Sequence, residues 1–113
     1  MISKAIAKFQ RISPRKARVV IGMVRGRDAS EALQLLEFTT KAAAPIVSKV
    51  IQSAIANAAG RIPQDAIDSL YIKTAYVDEG PNQHLRRWRP RAHGRATRIV
   101  KGTSHIHIEL DQR

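Results

Sequence analysis

The sequence predicts an α+β fold, with three helices packed on a small three-stranded antiparallel sheet and a long β-hairpin extension. Three observations predict it. Apolar residues recur at helical spacing between residues 14 and 59, strand-like patterns lie at both ends of the chain, and the 23 residues from Gly80 to Gly102 join two strand-like runs. That connection is far longer than the about two to five residues of an ordinary hairpin loop.

Residues 4 to 12 alternate loosely, with Ile6 and Ile12 on one face and Ala5, Ala7 and Phe9 on the other, as in a short strand. Ser13 and Pro14 then open a helix, because a hydroxyl accepts an orphan N–H and proline lacks the donor that would go unpaired. The helix runs to Arg25. At about 100° per residue, Ala17, Val20, Ile21 and Val24 fall on one face and Arg15, Arg18, Gly22 and Arg25 on the other. Gly26 ends it, and Asp28 with Glu31 has the spacing of a capping box for a second helix through Leu33, Leu36 and Phe38.

The third helix spans Lys41 to Ala59, with Ile46, Val47, Val50, Ile51, Ala54, Ile55 and Ala58 as its core face and Gly60 as its stop. Pro45 is tolerable so near the start. Leu70 to Val77 is rich in β-branched and aromatic residues. Thr103 to Asp111 alternates strictly, Ile106, Ile108 and Leu110 against His105, His107, Glu109 and Asp111. If Gly80 to Gly102 continues these two strands as a ribbon, its arms reach ~35 Å beyond the rest at ~3.3 Å per residue.

Charge points to the partner. The chain of 113 residues carries a formal +11, unevenly distributed. Residues 1–27 hold eight Lys or Arg and no acid, 28–79 hold four basic and seven acidic residues, and 80–113 hold eight basic and two acidic. A mildly acidic middle is thus flanked by two basic segments. Between Glu79 and Glu109 there is no carboxylate, yet Arg86, Arg87, Arg89, Arg91, Arg95, Arg98 and Lys101 are there, with Trp88 among them. Seven cations without an internal counter-charge repel one another and gain most from a partner with dense, fixed negative charge, which a polyphosphate backbone supplies best.

Arginine outnumbers lysine six to one in that segment, and its planar fork bonds phosphate bidentately and stacks on bases. Trp88 either stacks on an unpaired base or folds back on the hairpin. Pro90 and Gly94 suit a bend at the tip, and His84 and His93 add hydrogen bonds. The helix stripe of Arg15, Arg18 and Arg25 reads as a phosphate-contacting face, as do Lys16 and the strand cations Lys4, Lys8 and Arg11.

Other chemistries find less support. His105 and His107 share a strand face, but with no cysteine and only Glu109 and Asp111 nearby a metal site is not expected. Neither a P-loop nor a dinucleotide fingerprint occurs, and no nucleophilic or hydrolytic constellation emerges, so no enzyme, cofactor or small-molecule substrate is expected. The basic segment lacks the broad apolar stripe of an interfacial helix, and no eighteen apolar residues run together, so no membrane partner is expected. The absence of cysteine fits a reducing compartment. A free-standing DNA-binding or nucleoid protein is the alternative, since a basic two-stranded ribbon also fits a groove.

Four motifs in order carry a resemblance: RISPRKAR from Arg11 to Arg18, AYVDEGP from Ala75 to Pro81, PRAHGRA from Pro90 to Ala96, and TSHIHI from Thr103 to Ile108. Together they resemble the bacterial-type large-subunit ribosomal proteins of family L-twenty-two, universal family uL-twenty-two, over nearly the whole chain. The resemblance implies one RNA-binding domain over residues 1–113, with residues 80–102 as a protruding basic hairpin. It also implies a structural role in the large ribosomal subunit, without catalysis. Ribosomal RNA and neighbouring large-subunit proteins would be its partners, and it would act in subunit assembly. The hairpin would help line the nascent-peptide exit tunnel, with Arg86, Arg87, Trp88, Arg89, Pro90, Arg91, Ala92, His93, Gly94 and Arg95 as its tip. The nascent peptide would then be a further partner. The location implied is the cytoplasmic ribosome, or an organellar one. The stretch from Pro81 to Pro90 is longer than the family pattern, and Trp88 stands where an aliphatic residue is commoner.

Overall fold

A computed structural model of the chain describes residues 2–80, 87–90, 96–99 and 103–112. The elements are β1 (Ser3–Gln10), α1 (Pro14–Val24), α2 (Ala29–Glu37), α3 (Ala43–Ala59), a 3-10 helix (Gln64–Ser69), β2 (Leu70–Glu79), β3 (Arg87–Pro90), β4 (Ala96–Ile99) and β5 (Ser104–Gln112). β1, β5 and β2 form an antiparallel sheet in that order, and β3 pairs with β4 in a second, two-stranded one. The α+β class and the three main helices stand as the sequence indicates.

β5 occupies the centre because its alternation can serve both neighbours. Ile108 lies opposite Ala5 on β1 and Ala75 on β2, and Ile106 opposite Ala7 and Val77. Ile106, Ile108 and Leu110 are fully buried under the helices. α1 contributes Ala17, Val20, Ile21 and Val24, the face read from periodicity, and α3 contributes Val47, Val50, Ile51, Ala54 and Ala58. Burying each branched side chain stabilises the fold by roughly 1.5–3 kcal/mol relative to leaving it in water. Small residues on α3 let it lie close to the sheet, where the Ser3 hydroxyl donates to the Ala54 carbonyl at 2.8 Å.

Both sheet edges are covered, which removes the pairing hazard of an open strand. Along β1, Asn57 Nδ2 donates to the Lys4 carbonyl at 3.0 Å and Arg61 Nη1 to that of Ile2 at 2.8 Å. Along β2, the turn after α1 supplies Gly26 N–H to the Ile72 carbonyl at 3.0 Å, and Ile72 N–H returns to Arg27 at 2.9 Å. Gly26 holds φ +81°, a conformation that glycine takes without penalty. Ser13 caps α1 as anticipated, accepting from Lys16 N–H at 3.3 Å.

Several expectations are corrected. Asp28 occupies the N-cap of α2 but its side chain makes no capping bond; Glu31 instead pairs with Arg27 at 2.7 Å, one helical turn away. Phe38, read as lying within the second helix, sits just past it at the C-cap and is 83% exposed; about 200° from Leu36 around a helix, it lies off the buried face of Ala29, Ala32 and Leu36. α3 begins at Ala43 rather than Lys41. On β1, Ile6 is exposed while Ala5 faces the core, and Ile12 reaches the core only because a bulge between Ala7 and Gln10 breaks the alternation. The 3-10 helix was not anticipated; its Asp65 and Asp68 and its short length gave no apolar period.

The ribbon is not a simple continuation of the sheet. Glu79 pairs with Ser104, and Arg87 with Ile99, so one arm advances eight residues while the other covers five. Pro90 pairs with Ala96; the bend expected at Gly94 lies outside the described residues.

Candidate nucleic-acid interface

The cations read from the sequence fall into three groups. Lys4 and Lys8 are exposed on β1, Arg11 on the turn after it, and Arg15 and Lys16 on the first turn of α1. None of these five has a carboxylate partner among the described residues, whose ion pairs Arg27–Glu31, Lys73–Asp111 and Asp78–His107 lie on other elements. Lys4 stands opposite Glu109 in the β1–β5 register without forming a contact pair. The surface they make is a positive field with no ion pair among the described residues, of the sign that suits a polyanion.

Arg18 and Arg25 form the second group. Both are exposed, yet both reach across to the outer edge of β2. Arg18 Nη2 donates to the Val77 carbonyl at 3.0 Å, and Arg25 donates through Nε at 3.1 Å and Nη2 at 2.8 Å to that of Ala75. The stripe is therefore partly structural. Each guanidinium has five donors, so bonding one carbonyl leaves others to face a phosphate, now held in place by the strand.

The third group is the ribbon. Arg87, Trp88, Arg89 and Pro90 lie on β3 and Arg98 on β4, with Trp88 opposite Arg98 and Arg89 opposite Thr97 in the register. His84, Arg86, Arg91, Ala92, His93, Gly94, Arg95 and Lys101 lie outside the described residues. At the ribbon's base, Gly80 N–H donates to the Thr103 carbonyl at 2.8 Å. A Cβ on Gly80 would collide with Thr103 Oγ1 and come within 3.3 Å of the Thr103 backbone and of His105, so the junction requires glycine.

The sheet face away from the helices carries what the sequence reading missed. Ile6, His107 and Tyr76 form one cross-strand row. Tyr76 stacks on His107 with centroids 4.4 Å apart, and His107 Nε2 lies 3.2 Å from Asp78 Oδ2. Phe9 stands at right angles to His105. The signal available was an apolar ring placed between Lys8 and Arg11, where the loose alternation already falters. A groove of about 310 Å³ between β1 and α3 is lined by Ala5, Ile6, Ala7, Gln10, Pro45, Ile46, Lys49, Val50 and Ser53; Lys49 is its one titratable side chain, so it offers no acid–base pair.

Comparison with known proteins covers both scaffold and ribbon. Residues 5–111 match the family model described as Ribosomal protein L22p/L17e. A relative from Sorangium cellulosum (strain So ce56), "Large ribosomal subunit protein uL22", is 60% identical over 116 residues, covering 100% of this chain and 99% of the relative. A second of the same name, from Syntrophobacter fumaroxidans (strain DSM 10017 / MPOB), is 47% identical over 110 residues, covering 97% of each.

Proposed function

The chain belongs to the Ribosomal protein L22p/L17e family, a structural component of the large ribosomal subunit rather than an enzyme family, and we propose that it binds ribosomal RNA there, supports subunit assembly, and extends its basic hairpin along the nascent-peptide exit tunnel. Its location is the cytoplasmic ribosome. The observation that carries the reading is the family match over residues 5–111, which runs through the helix-and-sheet scaffold and the acid-free segment alike.

The mechanism is electrostatic. Lys4, Lys8, Arg11, Arg15, Lys16, Arg18 and Arg25 present cations on a folded platform, and the segment from His84 to Lys101 supplies the rest. These cations displace condensed counterions from the RNA phosphates, and the released ions favour the complex. The principal extents of 65 × 25 × 16 Å support a hairpin that stands out from one RNA-binding domain. So does the radius of gyration, 17.2 Å against the roughly 13 Å of a compact domain this long. In that reading residues 86–95 meet RNA and the nascent peptide, while the scaffold contacts neighbouring large-subunit proteins.

The test is sedimentation. Tagged full-length chain should co-sediment with the large subunit in sucrose gradients, and cells supplied only with a chain lacking residues 86–95 should accumulate incomplete large subunits or lose peptide-dependent pausing. Recovery of the tagged chain solely in ribosome-free fractions contradicts the proposal.

A further inference from the structure

Among the described non-glycine residues, Phe9 alone has a positive φ, +59°. A side chain in that region crowds the following carbonyl, and such a conformation persists only where the surroundings over-determine it. Here three things do. Phe9 lies in the bulge between Ala7 and Gln10, its N–H donates to His105 Nδ1 at 3.0 Å, and Gln10 resumes pairing opposite Ser104. The ring ends 60% exposed, perpendicular to the His105 ring at 89° with centroids 4.9 Å apart. Folding alone favours the reverse, because a glycine would take this backbone freely and a buried ring would leave water.

We propose that Phe9 and His105 form a stacking site for an unpaired nucleobase of RNA, a site that rests on the RNA-binding reading above and adds base contact to it. An open phenyl face accepts any base by stacking. Because His105 Nδ1 accepts the Phe9 N–H, the imidazole proton sits on Nε2, a donor for a base edge or a 2′-hydroxyl beside the stacked ring. Exposed Lys8 and Arg11 lie one and two residues from Phe9 in the chain, and residues 1–27 contain no carboxylate, so the phosphates beside a stacked base would meet a positive surface. That charge selects RNA over an apolar protein surface.

The test uses the full chain with a short single-stranded RNA containing 5-iodouridine, which crosslinks on irradiation to stacked aromatic rings. The expected adduct maps to Phe9 by mass spectrometry. Phe9→Gly should melt no lower than the parent, lose that adduct, and bind the uniodinated RNA at least about fivefold more weakly, whereas Phe9→Tyr keeps both. An abasic oligomer of equal length should bind parent and Phe9→Gly alike. Parental RNA affinity in Phe9→Gly, or a markedly lower melting temperature, overturns the stacking site and leaves the RNA-binding reading intact. Failure of the parent to bind either oligomer overturns both.

Discussion

The β1–β5–β2 sheet and the β3–β4 ribbon are both antiparallel and belong to one continuous run of chain, yet they solve opposite problems. In the sheet, alternation sends Ile106, Ile108 and Leu110 under the helices, the edges are covered, and no buried side-chain polar atom among the described residues lacks a partner. The segment that holds the ribbon brings seven cations and no acid between Glu79 and Glu109. Folding information and binding information thus sit in different residues. Arg18 and Arg25 are the exception, since they serve the β2 edge and still face outward.

The scaffold should break where the comparison places its strength. Ile108→Ala removes a fully buried side chain from the central strand and should cost about 2–5 kcal/mol in urea unfolding. Salt dependence of RNA binding by the folded fraction should be unchanged. Gly80→Ala attacks the junction, where the added methyl meets Thr103; a loss of roughly 1–3 kcal/mol is expected, with altered amide shifts confined to the strand ends around residues 77–80 and 103–106.

Next in size comes a pair of arginines on one helix. Arg25→Ala loses both bonds to the Ala75 carbonyl and should destabilise by about 1 kcal/mol. Arg15→Ala should change stability by less than about 0.5 kcal/mol and lower the salt slope of RNA binding by about 0.7–0.9. Equal stability losses for the two would erase the distinction between tethered and free cations. The smallest effect is at Asp111, whose carboxyl lies below its ordinary value of 3.8 because the Gln112 N–H, and then Lys73, favours the ionised form. A native pKa below the unfolded one stabilises at neutral pH and loses its effect as pH falls through the native value. The small stability deficit of Asp111→Asn at neutral pH should therefore vanish below pH 3.8 in acid titrations followed by circular dichroism.

Much of this was legible in the sequence. The core faces of α1 and α3 follow from a 3.6-residue period, and β5 from strict alternation, because burial on one side imposes those periods. The cations of the interface were legible as charge without counter-charge. What period could not show was a bulge. At Phe9 the backbone turns left-handed, so residues beyond it change face, and Ile12 reaches the core while Ile6 stays out. Nor could charge counting reveal that Arg18 and Arg25 reach strand carbonyls, a contact across 59 and 50 residues of chain. Phe38 lies one residue past the end of α2, about 200° around the helix from buried Leu36.

The most direct measurement compares the full chain with a variant lacking residues 86–95, following RNA affinity against salt alongside thermal melting. The seven cations of the acid-free segment should contribute roughly −5 to −6 to the full chain's slope of log affinity on log salt, and loss of the five arginines should shrink the slope by about 3.5–4.5 with the melting temperature unchanged. Equal slopes, or a deletion variant that no longer folds, would contradict the separation of scaffold from polyanion-binding arm.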